Sequence, residues 1–392
     1  MEDNKVQVLI KSVLEAENIT DGIVSIKNAN VEIADGLMSQ ILRVSITKKS
    51  TNQQLNLLIK VAPTDAEFRK LVQLLYKSEI HFYDTIVPLF NQLQLKYTEK
   101  PFVLVPKFFK AVKEQCQEVI IMEDLASKGY KMLNRKYCFS EECMKIVLQE
   151  FGKFHALSFA LQTENAKTWK ELDNGVDQSE VFTGEVVKWF QDALQKAYTL
   201  FESSNISTSK KLKNLHDNFE SVMKTLLKPS DKYPSVIVHM DPWCNNFLFK
   251  QSTDSEGVED VILIDFQTAT KASPVLDISC FLYINASVET MKNWLQMLRI
   301  YYDSLVTHGK ALNCCVEEMY SWEMFMDDWK DYAKYGILKA VMGISLNTQD
   351  DEDVKTHDQN NVGASFYIDK WNLKTIERIK VLIEHAEAEN LL

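Results

Sequence analysis

The chain has 392 residues, a length that favours one large two-lobed unit or two domains. Hydrophobic residues make up 46% and charged residues 25%, which is typical of a globular protein and excludes a disordered or fibrous chain. The formal net charge of −11 argues against a surface for nucleic acid or anionic membranes, because those partners require clustered Lys and Arg.

Residues 1–19 begin with acidic residues and have the spacing of an amphipathic helix, without the basic and apolar regions of a signal peptide. No window is long and apolar enough to span a bilayer. The seven cysteines lack the CxxC spacing of a metal site, and their odd number favours reduced thiols. We therefore expect a cytoplasmic protein without a membrane span, whose oligomeric state the sequence does not define.

Apolar and polar residues alternate over 23–46, around the turn-like sequence Ala34-Asp35-Gly36. A compact apolar run follows at Leu55–Val61 and contains Lys60 near its end. Both patterns predict paired β-strands.

Residues 66–89 carry apolar side chains at helical spacing, and Pro88 is predicted to stop this helix. Two further short apolar runs, Phe102–Pro106 and Val119–Met122, are predicted to be strands. The first part of the chain is therefore expected to combine a sheet with one long helix.

The polarity of the chain changes at Glu123-Asp124-Leu125, which predicts a boundary between a nucleotide-binding lobe, 1–124, and a catalytic and acceptor-binding lobe, 125–392. Ser140 is a predicted N-cap, and the sequence after it has mostly helical spacing. The second lobe should be mainly helical.

Two strand-like runs interrupt this helical region, Val236–Val238 and Val261–Ile264. The polar segment Gln251–Asp260 between them resembles the tip of a hairpin. A second long polar segment, Gln349–Asn361, is predicted to be an exposed loop.

The strongest chemical signal is the sequence HMDPWCNN, which contains Asp241 and Asn246, followed by LIDFQ, which contains Asp265. Phosphoryl transfer needs a carboxylate that orients or deprotonates the attacking hydroxyl, and oxygen ligands that hold magnesium against the nucleotide phosphates. A loop from Asp241 returns Asn246 to the same site, and a hairpin partner strand delivers Asp265. Each residue alone also fits an ordinary turn, but the three together favour a phosphotransferase.

This motif resembles that of the kinase-like phosphotransferases, which include protein kinases, aminoglycoside phosphotransferases and choline kinases. The most specific sequences are HMDPWCNNFLF, LIDFQ, IMEDL, SEIHFY and FGKFHALSFA. With these sequences the chain resembles the ecdysteroid kinase-like family of small-molecule kinases, over most of its length. The resemblance implies an α+β, bilobal protein-kinase-like fold with a small antiparallel-sheet lobe and a large, mainly helical lobe.

The resemblance also implies roles for individual residues. Asp241 would be the catalytic base, and Asn246 and Asp265 the magnesium ligands. Lys60 would contact the phosphates of ATP and be held by Glu79 in an ion pair. From pattern alone, Lys60 also fits a strand-end lysine that reaches solvent, and Glu79 a solvated charge on a helix.

Gly36 and Ser39 match the turn that covers the phosphates, although Gly36 also fits an ordinary hairpin turn and no GxGxxG is present. Met122, Glu123 and Leu125 match the hinge, whose backbone would bind adenine while Met122 packs on its ring. The alternative for this segment is a strand end followed by capping acids.

Three polar residues are interpreted as structural. His155 lies among apolar residues at helical spacing and fits a core histidine. His239 is expected to fix the catalytic loop by hydrogen bonding, and Asp277 to anchor the same loop.

Protein acceptors are not expected, because Gln267 stands where protein kinases have glycine and no APE-like segment follows. The acceptor site would then be open to the helical region, where seven aromatic residues either line an apolar pocket or form the helix core. These residues are Trp189, Phe190, Tyr283, Trp322, Phe325, Trp329 and Tyr332.

We therefore predict an ATP- and magnesium-dependent kinase that phosphorylates a hydroxyl of an ecdysteroid-like steroid or a xenobiotic alcohol. One alternative is a ligand-binding pseudokinase without transfer, which the complete set of catalytic residues disfavours. The other is a choline- or aminoglycoside-type kinase with a cationic acceptor, which Asp327, Asp328 and Asp331 keep open.

Overall fold

The computed structural model describes residues 2–28, 39–63, 69–115, 117–172, 175–252, 257–349 and 367–392. The predicted turn at Gly36 and the predicted acidic loop beyond Gln349 lie outside these residues.

The helices and strands follow one another in three groups. The first contains α1 (Glu2–Ala16), β1 (Gly22–Asn28), β2 (Gln40–Lys48), β3 (Gln54–Val61), α2 (Arg69–His81), a π-helical turn (Phe82–Ile86), α3 (Val87–Gln94), β4 (Phe108–Val112) and β5 (Val119–Glu123). The second contains a 3₁₀ turn (Leu125–Lys128), β6 (Tyr130–Lys131), α4 (Glu141–Glu164), α5 (Ala166–Glu171), a 3₁₀ turn (Gln178–Glu180), α6 (Gly184–Phe201), α7 (Ile206–Asp217) and α8 (Phe219–Leu226). The third contains β7 (Val236–Val238), a 3₁₀ turn (Cys244–Asn246), β8 (Phe247–Gln251), β9 (Val258–Leu263), β10 (Thr270–Ala272), α9 (Val275–Asn285), α10 (Val288–Lys292), α11 (Trp294–Ala311), α12 (Val316–Met319), α13 (Trp322–Tyr332), α14 (Lys334–Asn347) and α15 (Leu373–Ala388).

Five antiparallel strands form a sheet in the order β1-β2-β3-β5-β4. Alternate residues of a strand face opposite sides of the sheet. Leu57 and Ile59 therefore share one face, where they form an apolar cluster with Leu9, Ile10 and Val13 of α1. The N-terminal helix thus covers one side of the central strands β2, β3 and β5.

The opposite face of the sheet carries Lys60. Residues that lie directly across from each other in neighbouring strands share a face. Lys60 pairs with Ile120, and Leu58 pairs with Met122, so Met122 lies on the same face as Lys60. Ile120 and Met122 join the main apolar core, which also contains residues of α2.

The helical region is built around pairs of long helices, α4 against α11, α14 against α9 and α6 against α7. Ser140 caps α4 as predicted, and its side chain accepts a hydrogen bond from the Cys143 N–H at 3.2 Å. Gly336 lets α14 approach α9 closely, since a Cβ at this position would clash with the Ser279 backbone. The backbone of α14 is therefore held close to the middle of α9.

Two small sheets support the loops of the helical region. β8 forms antiparallel pairs with β9 and β6, and β7 pairs with β10. The prediction that Val236–Val238 and Val261–Ile264 flank one hairpin is therefore wrong. The hairpin partner of β9 is instead β8, which begins directly after Asn246.

One more predicted strand and one predicted helix end are wrong. Phe102–Pro106 is not a strand, because the side-chain amide of Gln94 accepts from the Phe102 N–H at 2.8 Å and donates to its carbonyl at 3.2 Å. Pro88 does not end the helical segment, because it lies in the first turn of α3, where a helix needs no N–H from that residue. No helix within the described residues is long and apolar enough to cross a membrane.

Candidate active site

Lys60 and Glu79 form the expected ion pair, with Lys60 Nζ 2.6 Å from Glu79 Oε2. The residues are only 8% and 1% exposed, so the alternatives of a solvent-reaching lysine and a solvated helix charge are wrong. Burial opposes the charge of Lys60, but the carboxylates of Asp265 and Glu79 raise the pKa of this amine well above its usual value. Burial raises the pKa of the Glu79 carboxyl, and Lys60 only partly opposes that increase.

Asp265 lies against the same lysine, with Oδ1 2.5 Å from Lys60 Nζ. Its backbone is in the left-handed region, at φ 65°, which turns the chain sharply after β9. The next residue, Phe266, is fully buried and stacks on Phe82 with ring centroids 3.8 Å apart. The buried Phe266 ring therefore anchors the turn that directs Asp265 toward Lys60.

The loop that carries Asp241 is held by the buried carboxylate of Asp277. Its two oxygens accept the N–H groups of His239 and Met240, at 2.7 and 2.6 Å. One of them also contacts His155 Nε2 at 3.1 Å. Asp277 is fully buried, and Met240 has a positive φ of 67°, so the carboxylate holds a backbone conformation that is otherwise unfavourable.

His239 links the two candidate catalytic segments. Its Nε2 lies 2.8 Å from the Ile264 carbonyl, and its Nδ1 accepts the Asp241 N–H at 3.2 Å. Nε2 therefore donates to one segment while Nδ1 accepts from the other, so the imidazole cross-links them. His239 and Asp277 thus make the structural contacts expected of them, and His155 is the expected core histidine, fully buried and 2.8 Å from the Tyr301 hydroxyl.

Asp241 is contacted from two sides. Lys339 Nζ lies 2.9 Å from Oδ1, and Asn246 Nδ2 lies 3.5 Å from Oδ2. Asn246 also donates to the Asp241 carbonyl at 2.8 Å, which fixes the loop between them.

Asn246 lies opposite Ile264, the residue before Asp265, at the end of the β8–β9 hairpin, because the Ile264 N–H donates to the Asn246 carbonyl at 3.1 Å. The Asn246 amide group donates to Asp241, so its side-chain oxygen is left as a possible ligand. Within the described ranges, no three His, Cys, Asp or Glu residues group closely enough to hold a metal alone. Magnesium needs fewer protein ligands, since phosphate and water oxygens complete its shell, and this amide–carboxylate pair fits it.

The predicted nucleotide-binding residues have different outcomes. Gly36 lies outside the described residues, whereas the Ser39 hydroxyl accepts from the Tyr76 hydroxyl at 2.9 Å. Met122 is buried on the Lys60 face of the sheet. Glu123 N–H donates to the Lys107 carbonyl, and Leu125 begins a 3₁₀ turn, where an N–H has no partner within the turn itself.

The aromatic residues proposed for an acceptor pocket are mainly core. Five of the seven are buried, and only Trp322 and Tyr332 are partly exposed. Phe190 contacts the site, since Lys339 Nζ lies 5.9 Å from its ring centroid.

Lys339 and Tyr335 were not identified from the sequence, although α14 brings both to the Asp241 loop. The Tyr335 hydroxyl donates to the Met240 carbonyl at 2.8 Å, one helical turn before Lys339. A usable signal does exist, because Lys339 is the only charged residue between 335 and 347, a segment otherwise typical of a buried helix.

The protein has a kinase-like fold. A small antiparallel sheet with a buried Lys–Glu pair is joined to a helical region, and the loops of that region carry Asp241, Asn246 and Asp265. The model of the ecdysteroid kinase-like family matches residues 34–314, and the chain belongs to that family. The match confirms the predicted family and fold class. It ends before α14, so Lys339 lies outside it. No curated protein matches the chain.

Proposed function

We propose that the protein transfers the γ-phosphoryl group of ATP to a hydroxyl of a small neutral molecule, such as an ecdysteroid-like steroid or a xenobiotic alcohol. Membership of the family indicates a small-molecule, kinase-like phosphotransferase. The observation that carries the finer proposal is the bonded group of Lys60, Glu79 and Asp265, which adjoins the loop of Asp241 and Asn246.

The proposed lobes are residues 1–124 and 125–392. Asp124 is the natural boundary, because its N–H donates to the Asn56 carbonyl in the sheet at 2.9 Å. Its side chain, in contrast, accepts the Ala126 N–H at the start of the following turn. One residue thus ends the sheet and begins the next segment.

ATP would bind along the Lys60 face of the sheet. The Lys60 ammonium is held by Glu79 in position to donate to a phosphate oxygen, and the buried Met122 offers an apolar surface to adenine. The hinge backbone at Glu123 and Leu125 would recognise the base edge. Gly36 and Ser39 are proposed to cover the phosphates.

Asp241 would accept the proton of the acceptor hydroxyl as that oxygen attacks the γ-phosphorus. Because Lys339 occupies Oδ1, the Oδ2 atom is the one proposed to face the acceptor. Magnesium held by Asn246 and Asp265 would neutralise phosphate charge. The products are a phosphate ester and ADP, and most of the rate enhancement would come from positioning and electrostatic stabilisation.

A neutral acceptor is favoured over a cationic one because the three aspartates proposed to bind a cation are already engaged. Asp327 pairs with Lys330 at 3.0 Å, and Asp331 pairs with Lys232 at 3.2 Å. Asp328 is fully buried and accepts from the Ser273 hydroxyl at 2.8 Å.

A cytoplasmic location is part of the proposal. Six cysteines in the described part of the chain are free thiols, which agrees with a reducing compartment.

The test is magnesium-dependent conversion of ATP to ADP with sterol, plant-alcohol and choline-like acceptors, with phosphorylated product followed by mass spectrometry. We expect a phosphate ester from the wild type and from a Lys334→Met control, and roughly 10³-fold slower formation of that ester from Asp241→Asn. Binding of ATP without any transfer would favour a pseudokinase, and preferential use of choline-like acceptors would favour the cationic alternative. Failure to bind ATP would contradict the whole proposal.

A further inference from the structure

Lys339 is a largely buried cation bonded to the proposed catalytic carboxylate. Its side chain is 14% exposed and that of Asp241 is 21% exposed, and the two are joined at 2.9 Å. Burial opposes the charge of Lys339, but the nearby Asp241 more than compensates, so the pKa of the lysine is raised. Lys339 is therefore an ammonium at neutral pH.

The helix that presents Lys339 is fixed at both ends. Near its start, Tyr335 donates to the Met240 carbonyl, one residue before Asp241. At its end, Arg135 Nη1 donates to the carbonyls of Leu346 and Asn347 at 2.9 and 3.0 Å, which satisfies groups that a helix leaves open. Tyr335 and Lys339 are four residues apart and lie on one face of α14, so both address the same loop.

A purely structural role explains this arrangement poorly. Taking a lysine and a carboxylate out of water costs free energy, and apolar residues of similar volume often stabilise a protein at least as well. Lys339 also bonds to one oxygen of the carboxylate only, which leaves Oδ2 in weak contact with Asn246. An ion pair of this kind orients Asp241 without occupying the oxygen needed for chemistry.

We propose that Lys339 is a positioning residue for phosphoryl transfer. It holds Asp241 through Oδ1, so that Oδ2 faces the acceptor hydroxyl, and it keeps the carboxylate from rotating toward other donors in the site. The inference rests on the proposed function and adds to it a residue from outside the part of the chain that matches the family.

The first experiment tests the pair without nucleotide or acceptor. Trace acetylation at fixed pH, read by mass spectrometry, compares Lys339 in the wild type and in Asp241→Asn. Loss of the counter-charge makes a buried ammonium easier to deprotonate, so we expect Lys339 to react several-fold faster in the variant. Lys60 is the internal control, because its partners are Glu79 and Asp265 and its reactivity should not change.

An unchanged rate at Lys339 would overturn the inference. A rise at both lysines would identify a misfolded variant, and Asp241→Ser would then replace it. If Lys339 responds but the wild type transfers phosphate to no acceptor, the failure lies in the proposed function and not in the pair.

The second experiment tests the role of the pair. Lys339→Met should lower kcat about 10²-fold, the cost expected of a small misplacement, with little change in the KM for ATP. Lys339→Arg should recover part of kcat, and Lys334→Met should match the wild type. In the Asp241→Asn background, Lys339→Met should add no more than about a twofold loss, because residues that act as a unit are not additive. An equal loss in both backgrounds would show that Lys339 does not act through Asp241.

Discussion

At the scale of single residues, the Asp241 loop depends on Asp277. In Asp277→Asn the side-chain oxygen still accepts one backbone N–H, but the NH₂ group faces the other N–H of the His239–Met240 pair. One charge-assisted hydrogen bond is therefore replaced by a contact between two donors. We expect a cost of about 2–3 kcal/mol in the free energy of unfolding, together with a fall in kcat. Urea denaturation and steady-state kinetics measure the two effects.

The matched control for Asp277→Asn is Asp327→Asn. Asp327 lies at the surface in an exposed ion pair with Lys330, and such pairs contribute little. Equal stability of the two variants would contradict the assigned role of Asp277.

Asp328 gives a prediction about pH. Burial raises the pKa of its carboxyl to about 7, opposed by hydrogen bonds from Tyr320 and Ser273. The unfolded chain loses this proton near pH 4, so the stabilising contribution is complete below that pH and is lost as the pH rises through about 7. We expect the wild type to lose roughly 2 kcal/mol of stability from this group between about pH 5 and pH 7.

Asp328→Asn isolates that contribution, because Asn does not titrate and other groups are unchanged. Urea denaturation across the same pH range should give a flatter curve for the variant than for the wild type. Parallel curves would show that the Asp328 pKa is not raised in the folded protein.

The predicted residues that the structure brings together lie on one short stretch of chain or at fixed places of a known pattern. Asp241, Asn246 and Asp265 belong to this group, and so does the Lys60–Glu79 pair. Lys339 differs because its partner lies 98 residues away, and only the packing of α14 against the loop brings them together. Local spacing carries no information about such a contact.

At the scale of elements, α1 is expected to be essential for stability because it covers an apolar face of the sheet. Ile10 is 2% exposed and packs in that cluster, whereas Val8 on the same helix is 62% exposed. Ile10→Ala should cost about 2–4 kcal/mol in the free energy of unfolding, and Val8→Ala should cost far less. Chemical denaturation of both variants checks this, and a small effect of Ile10→Ala would mean that α1 is not docked on the sheet.

Element types follow from periodicity, but element boundaries depend on contacts that periodicity does not record. Residues 66–89 have the spacing of one helix, yet a π-helical turn at Phe82–Ile86 shifts the register, and α3 then begins at Val87 with Pro88 in its first turn. Phe102–Pro106 has the composition of a strand, but the backbone of Phe102 makes its hydrogen bonds with the side chain of Gln94. In both segments the backbone N–H and C=O groups make hydrogen bonds that differ from those of a regular helix or strand. The spacing of apolar residues is the same for both hydrogen-bonding patterns, so a single sequence does not distinguish them.

At the scale of the whole molecule, the sheet and the helical region meet at one ion-paired centre. Lys60 belongs to β3, whereas Asp265 follows β9, and the lysine bonds both Asp265 and Glu79 of α2. The Phe82–Phe266 stack joins the same two regions a short distance away. A ligand that binds at this centre contacts both regions and should therefore stabilise the entire fold.

This argument predicts how ATP with magnesium changes the thermal stability. A ligand at about 100 times its Kd stabilises the folded state by about 2.7 kcal/mol, which is measured as a rise in Tm. Lys60→Met removes a phosphate contact and leaves Glu79 buried without its cation, so nucleotide should raise the Tm of this variant much less than that of the wild type. Each variant is compared with itself without nucleotide, which separates the change in binding from any change in intrinsic stability, and Lys334→Met should respond as the wild type does. Equal shifts for the wild type and Lys60→Met would place the nucleotide away from the Lys60 face of the sheet.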